Sequence, residues 1–251
     1  MPQFSDDLFL GPIVPGNSYA SGSDNPSPMT TGVGPLGRIY VWDTVPLTLQ
    51  AAGLVAGQTS ASTAGTLTLA AGTGVTTSTA ADGTVSYVLD VPRCVTTASG
   101  TADNTAMTIV ITGKDQYGQA MSQSIAGATA TATVATTKAF KSVSSVTWSG
   151  RAITGSNLTI GFNDTIGAPF KIAAKEYVAQ ANYNSTQVAL TVVTAAATTT
   201  NVTSGDVRGT VALPAAADGA KRLVMALLLP ALAVGPSATR AGALGLSQNL
   251  V

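Results

Sequence analysis

The side chains able to carry acid-base or nucleophilic chemistry are few in this chain of 251 residues. It has no histidine, one cysteine (Cys94), one glutamate (Glu176) and only 10% charged residues. Catalysis near neutral pH draws on a group whose pKa can be placed there, most often His, or on carboxylates and lysines shifted by burial. Without His, the Ser/His/Asp and Cys/His nucleophile systems are excluded, and neither S-x-x-K nor G-x-S-x-G stands in their place. A Ser/Lys pair assembled in space, or a hydrolase built on Asp and Lys alone, is what remains of the catalytic alternatives. One Cys without His is no workable zinc set, and no D-x-D-x-D-G spacing offers a calcium loop. Asn163-Asp164 and Thr101–Asn104 read as ordinary loop residues. The glycines of Gly32–Gly37 (GVGPLG) sit in a proline-rich stretch with no helix following, so they do not form a phosphate cradle. The expectation is a protein with no catalytic residues, no metal and no cofactor.

Twelve basic residues balance twelve acidic ones, giving a formal net charge of zero. That removes the long-range field of a nucleic-acid or anionic-membrane binder, and the five Phe, six Tyr and two Trp are too dispersed for a base-stacking platform. With a mean hydropathy of +0.32, such a chain is poorly protected against self-association. A surface covered in an assembly explains this, and so does an alanine-rich chain from a GC-rich genome. Cys94 has no partner for an intramolecular disulfide and reads as a small buried apolar residue. The acidic start MPQFSDDLFLGPIVPG lacks the basic region of a secretory signal. The most apolar run, Leu223–Val234, is shorter than the ~20 residues of a membrane span and contains Pro230. It reads as a buried strand followed by a turn.

Residues 1–37 are dense in Pro, Gly, Ser and Asn and show no apolar periodicity. Phe4, Leu8, Phe9, Ile13 and Tyr19 scattered among them fit an extended arm that docks on a neighbour, against the alternative of a disordered tail. From Arg38 onward the chain reads as strands. Ala106–Thr112 (AMTIVIT) puts Met107, Ile109 and Ile111 on one face, and the period of two recurs in Val85–Val91, Val146 and Trp148, Leu158–Phe162, Val188–Val192 and Arg222–Leu229. Lys114–Gly118 (KDQYG) reads as a hairpin loop with Gly118 left-handed, and Asp82-Gly83 and Asp218-Gly219 as turns. Pro169–Asn184 allows one short helix or none. The Ala/Thr tracts at 126–137 and 194–200 are candidates for edge strands or loops ordered by a partner, a role extended to residues 188–210. Tyr40 and Trp42, just after the arm, are either core residues of the first strand or interface anchors. The candidate interface therefore comprises Phe4, Leu8, Phe9, Ile13, Tyr19, Tyr40 and Trp42. The domain expectation is an arm over 1–37 and an all-β, antiparallel β-sandwich, jelly-roll-like, over 38–251.

The blocks PGNSYASGSDNPSP, VPRCVTTASGTADNTAMTIVITGKDQYGQAMSQ, FKSVSSVTWSG and DVRGTVALPAAADGAKRL, in that order, resemble head structural proteins of tailed bacteriophages, in particular capsid cement or decoration proteins. The resemblance spans most of the chain and lies in style and block order. It implies a β-sandwich that sits as a homotrimer on the capsid surface of the virion and ties major capsid subunits together, without catalytic residues. A phage tail or fibre component, and an Ig-like carbohydrate-binding or adhesion module, are the competing readings.

Overall fold

The computed structural model describes residues 4–9, 38–59, 64–100, 104–150, 157–170, 172, 175–194 and 208–229. Among these described residues, fifteen strands follow in chain order. The first eight are β1 (Phe4–Phe9), β2 (Arg38–Thr44), β3 (Gln50–Thr59), β4 (Gly65–Thr66), β5 (Val75–Thr79), β6 (Val85–Ser99), β7 (Thr108–Lys114) and β8 (Ala120–Ala126). After them come β9 (Thr133–Ser149), β10 (Asn157–Gly167), β11 (Val178–Tyr183), β12 (Thr186–Gln187), β13 (Thr191–Thr194), β14 (Thr210–Ala212) and β15 (Leu223–Leu229). A single 3-10 turn, Lys175–Tyr177, is the helical content among the described residues. The protein is all-β, and every strand pair given a register is antiparallel.

The chain forms two compact units. One comprises Met1–Val45, Ala168–Pro214 and Ala220–Val251; the other comprises Pro46–Gly167 and Ala215–Gly219. In the first unit the sheet runs β1-β2-β15-β11-β12. Alternation places Tyr40 and Trp42 on one face of β2, opposite Leu227 and Met225 of β15, and all four are buried. Hairpin β11–β12 turns through Asn184 and Ser185, both at positive φ (50° and 65°), the primed turn that matches strand twist. Strands β13 and β14 pair with each other.

The second unit is built on two long strands, β6 and β9, that serve two layers. The first half of β6 lies between β5 and the second half of β9, which pairs in turn with β7, and β7 with β8. The second half of β6 lies between β10 and the first half of β9, and β10 carries β3 on its other side. Strands that bend from one layer into the next make the corners of such a sandwich. Between the layers sits one apolar cluster, including Leu54, Leu89, Ile109, Ile111, Phe140, Val146, Ile160 and Phe162. At about 25 cal/mol per Å² of apolar area buried, this cluster is the main favourable contribution to the fold of the unit.

The period-two reading of β7 matches its burial, with Ile109 and Ile111 inside and Thr108 and Thr112 outside. Gly118 stands at φ 83° in the β7–β8 turn, where Asp115 accepts the Tyr117 and Gln119 amides. The Pro169–Asn184 window forms the 3-10 turn and then β11, because Val178–Tyr183 pairs with β15 and a paired strand outweighs weak helical spacing. Val188–Val192 is a strand only from Thr191 onward. The tract at 133–137 is the start of β9 and pairs with β6 alone, since β7 joins β9 only from Ser142 onward, so it is an edge strand as expected.

Thr131 carries strain. It has φ 62° in the turn Thr129–Ala132, where Ala132 N donates to Thr129 O at 3.1 Å. A β-branched residue pays a steric penalty in this left-handed region, which glycine does not. Thr131→Gly is therefore expected to stabilise the protein by about 0.5–1 kcal/mol, after allowing for the freer unfolded chain. Urea unfolding checks this through a rise in midpoint, whereas Thr131→Val lowers it.

Candidate functional site

The densest group of charged side chains among the described residues forms where β6 changes layer. Between Val88↔Ser142 and Arg93↔Phe140 the β6 chain advances five residues while β9 advances two, leaving a wide bulge around Leu89–Pro92. Pro92, which has no amide hydrogen to lose, sits inside it. Such a bulge exposes main-chain groups that need new partners. Lys141 of β9 supplies them, donating from Nζ to Leu89 O at 2.6 Å and Asp90 O at 2.7 Å.

Arg93 follows directly, with its side chain 0% exposed. Its Nε and Nη2 grip both oxygens of Asp90 at 2.8 and 2.7 Å, the bidentate fork that suits guanidinium to carboxylate. Nη2 also donates to Leu47 O at 2.6 Å, and Nη1 donates to Asn163 O and Asp164 Oδ1, each at 3.1 Å. A guanidinium has five N–H donors, and these five contacts engage all of them. The Phe162 ring lies beneath, 5.2 Å from Cζ to centroid, adding a cation–π contact. The carboxylates reach further: Asp90 Oδ2 accepts the Leu47 amide at 2.7 Å and Asp164 Oδ2 the Ala217 amide at 3.3 Å. One buried cation thus clasps the entry segment at Leu47, the corner of β6, the end of β10 and the returning segment at Ala217.

Electrostatics fit this role. Burial of Asp90 would raise its pKa, but the hydrogen bonds and charge of Arg93, helped by the Leu47 amide, outweigh it and hold the carboxyl below its ordinary value. Burial pushes Lys141 down, and the attraction of Asp90 only partly restores it. With both oxygens of Asp90 accepting and every donor of Arg93 engaged, the group has no free base and no free anion-binding fork. Its chemistry is cohesion. By contrast, the pair Arg222–Asp43 is solvent-exposed, with Nε donating to Oδ1 at 2.7 Å, and contributes little to stability.

The candidate interface residues are distributed differently from a single surface. Phe4, Leu8 and Phe9 lie in β1, which pairs with β2 of its own chain in the register Phe4↔Tyr40 and Phe9↔Arg38. Ile13 and Tyr19 lie outside the described residues. Tyr40 is 1% and Trp42 7% exposed, and Tyr40 packs edge-on against Phe170 with ring centroids 4.5 Å apart. Both aromatics are core residues of their unit. Of the 188–210 region, β13 pairs with β14, and residues 195–207 lie outside the description.

Asp90, Arg93, Lys141 and Asp164 were not singled out by the sequence reading, and Asp164 belongs to a strand and an ion pair rather than an ordinary loop. The available signal was an acid and a base inside the apolar run VLDVPRCV, since charges seldom enter a core unless paired. Among the described residues no three His, Cys, Asp or Glu gather as a metal site, and no helix is long and apolar enough to cross a membrane. A groove of about 320 Å³ in the first unit is lined by Lys175, Val178, Ala181, Val188 and Leu190 among others. Compared with protein-family models, with curated proteins and with solved structures, the chain matches none.

The lowered pKa of Asp90 sets a sign for pH dependence. A depressed folded-state pKa adds stability above the unfolded value of about 3.9, and that stability is lost as pH falls through the folded value. Unfolding free energy should therefore be level from pH 8 to 5 and drop below about pH 4, with a shallower drop in Asp90→Asn. Arg93→Met, which leaves buried carboxylates unpaired, is expected to cost about 3–5 kcal/mol at pH 7. Denaturant titrations across pH check both. A loss under about 1 kcal/mol would show that the clasp is not holding the unit.

Proposed function

We propose that the protein is a non-enzymatic structural component of a virion, a cement or decoration protein that binds the outer capsid lattice and stabilises contacts between major capsid subunits. The observation that carries this reading is the Arg93 clasp, in which the strongest concentration of charge in the described chain is fully engaged in holding the chain to itself. An all-β body braced internally without disulfides suits a protein whose task is mechanical persistence. The balanced charge and the block resemblance to phage head proteins support the same reading. Its partner is the major capsid protein, its expected assembly a homotrimer, and its place the capsid surface. Nucleic acid, membrane and cofactor have no part in it.

Copy number tests this. Quantitative mass spectrometry of purified particles should find the chain at a level comparable to the major capsid protein. A few copies per particle would contradict the cement reading and favour a tail or fibre component.

A further inference from the structure

Among the described residues of the second unit, β3, β5 and β8 each pair with a single strand, and their outer edges are treated differently. The outer edge of β3 is covered by its own chain: Ala70 N donates to Leu54 O and Gly72 N to Gly53 O, each at 2.9 Å, while the Gln58 amide bonds both the N–H and the C=O of Thr68. The outer edge of β8 is closed onto the start of β9 through side chains. Gln123 Oε1 accepts the amides of Thr137 and Lys138 at 3.1 and 2.9 Å, and Lys138 Nζ donates to Ser122 O at 2.8 Å.

Strand β5 has no such cover. It pairs with β6 alone, and from Thr76 to Thr79 nothing among the described residues bonds its other side. The direction of its free groups can be read from the ladder. Ala80 N donates to Thr84 O, and bonded and non-bonded pairs alternate along an antiparallel ladder. Ser78/Ser86 and Thr76/Val88 therefore carry the bonds to β6, and Thr77 and Thr79 turn their N–H and C=O outward. Residues Thr76–Thr79 are exposed on both faces, and the strand has no bulge, proline or charge. Those are the devices by which edges are normally protected.

We propose that the β5 edge is a self-association site, pairing antiparallel with β5 of a second copy about a two-fold axis at Ser78. The charge pattern selects this occupant. No charged residue occurs between Asp43 and Asp82, so two copies meet with no like-charge repulsion, and a charged strand would find no complement. In this register each Thr77 faces the second copy's Thr79, and both pairs exchange their main-chain hydrogen bonds. Ser78 meets Ser78 across the axis in a non-bonded pair, where side chains approach most closely. The contact is isologous and links copies in twos, independently of any three-fold assembly and of the function proposed above. Its length makes it weak, with dissociation expected in the ~10–100 µM range for an interface at the small end.

The full chain carrying Ser78→Cys tests this under mild oxidation, since the native Cys94 is buried. A two-chain species should form on denaturing electrophoresis at about 100 µM protein, at least ten times faster than for Gln119→Cys on the exposed β7–β8 turn. Adding Thr77→Pro, which removes only an outward N–H, or Thr77→Lys should slow it at least tenfold. Thr77→Lys decides the matter if the proline variant does not fold. Absence of the two-chain species, or cross-linking unchanged by Thr77→Lys, would overturn the proposal.

Discussion

The buried guanidinium of Arg93 is the constraint on which the second unit depends. An ion taken out of water costs several kcal/mol unless its donors are satisfied and its charge is met. Here Asp90, Asp164 and two main-chain carbonyls do both. The requirement runs in each direction. Arg93 can be buried only if Leu47, Asn163 and Asp164 are in place, and those segments are held only because Arg93 is buried. Four stretches far apart in sequence are thereby made to order together.

The same device recurs wherever the sheet departs from regular pairing. Lys141 caps the carbonyls of the Leu89–Pro92 bulge. Where β9 gains residues between Cys94↔Ala139 and Thr96↔Ala135, the Thr136 hydroxyl accepts the Val95 amide at 2.9 Å and donates to Lys138 O at 2.7 Å. Gln58 and Gln123 act as stand-ins for a neighbouring strand at two edges. Long strands bend between layers only if the main-chain groups freed at the bend find partners. In this chain side chains of Lys, Thr, Gln and Arg provide them. Close approach also sets one residue identity: a Cβ on Gly161 would lie 2.0 Å from Gln50 O, where β3 bulges against β10.

Regular alternation made the strand content legible from sequence, since Ile109 and Ile111, or Leu158, Ile160 and Phe162, bury one face of a strand whatever it pairs with. The β7–β8 turn was legible because Gly118 must be left-handed there. What was not legible depends on returns of the chain. Nothing local tells Arg93 that Asp164 and Leu47 will arrive beside it, or that residues 215–219 revisit the second unit. Tyr40 and Trp42 show the same limit. A dense aromatic pair fits an anchor or a core equally well, and only the pairing of β2 with β15 places them inside.

A body whose charged groups close its own seams, and whose surface charge is balanced, is suited to adding cohesion to a larger shell. That cohesion is directly measurable as heat resistance. Capsid shells lacking the protein should be disrupted at a lower temperature than the same shells resupplied with it, with the rise growing as sites fill and then levelling off. Shells whose disruption temperature does not change at saturating protein would contradict the proposed role.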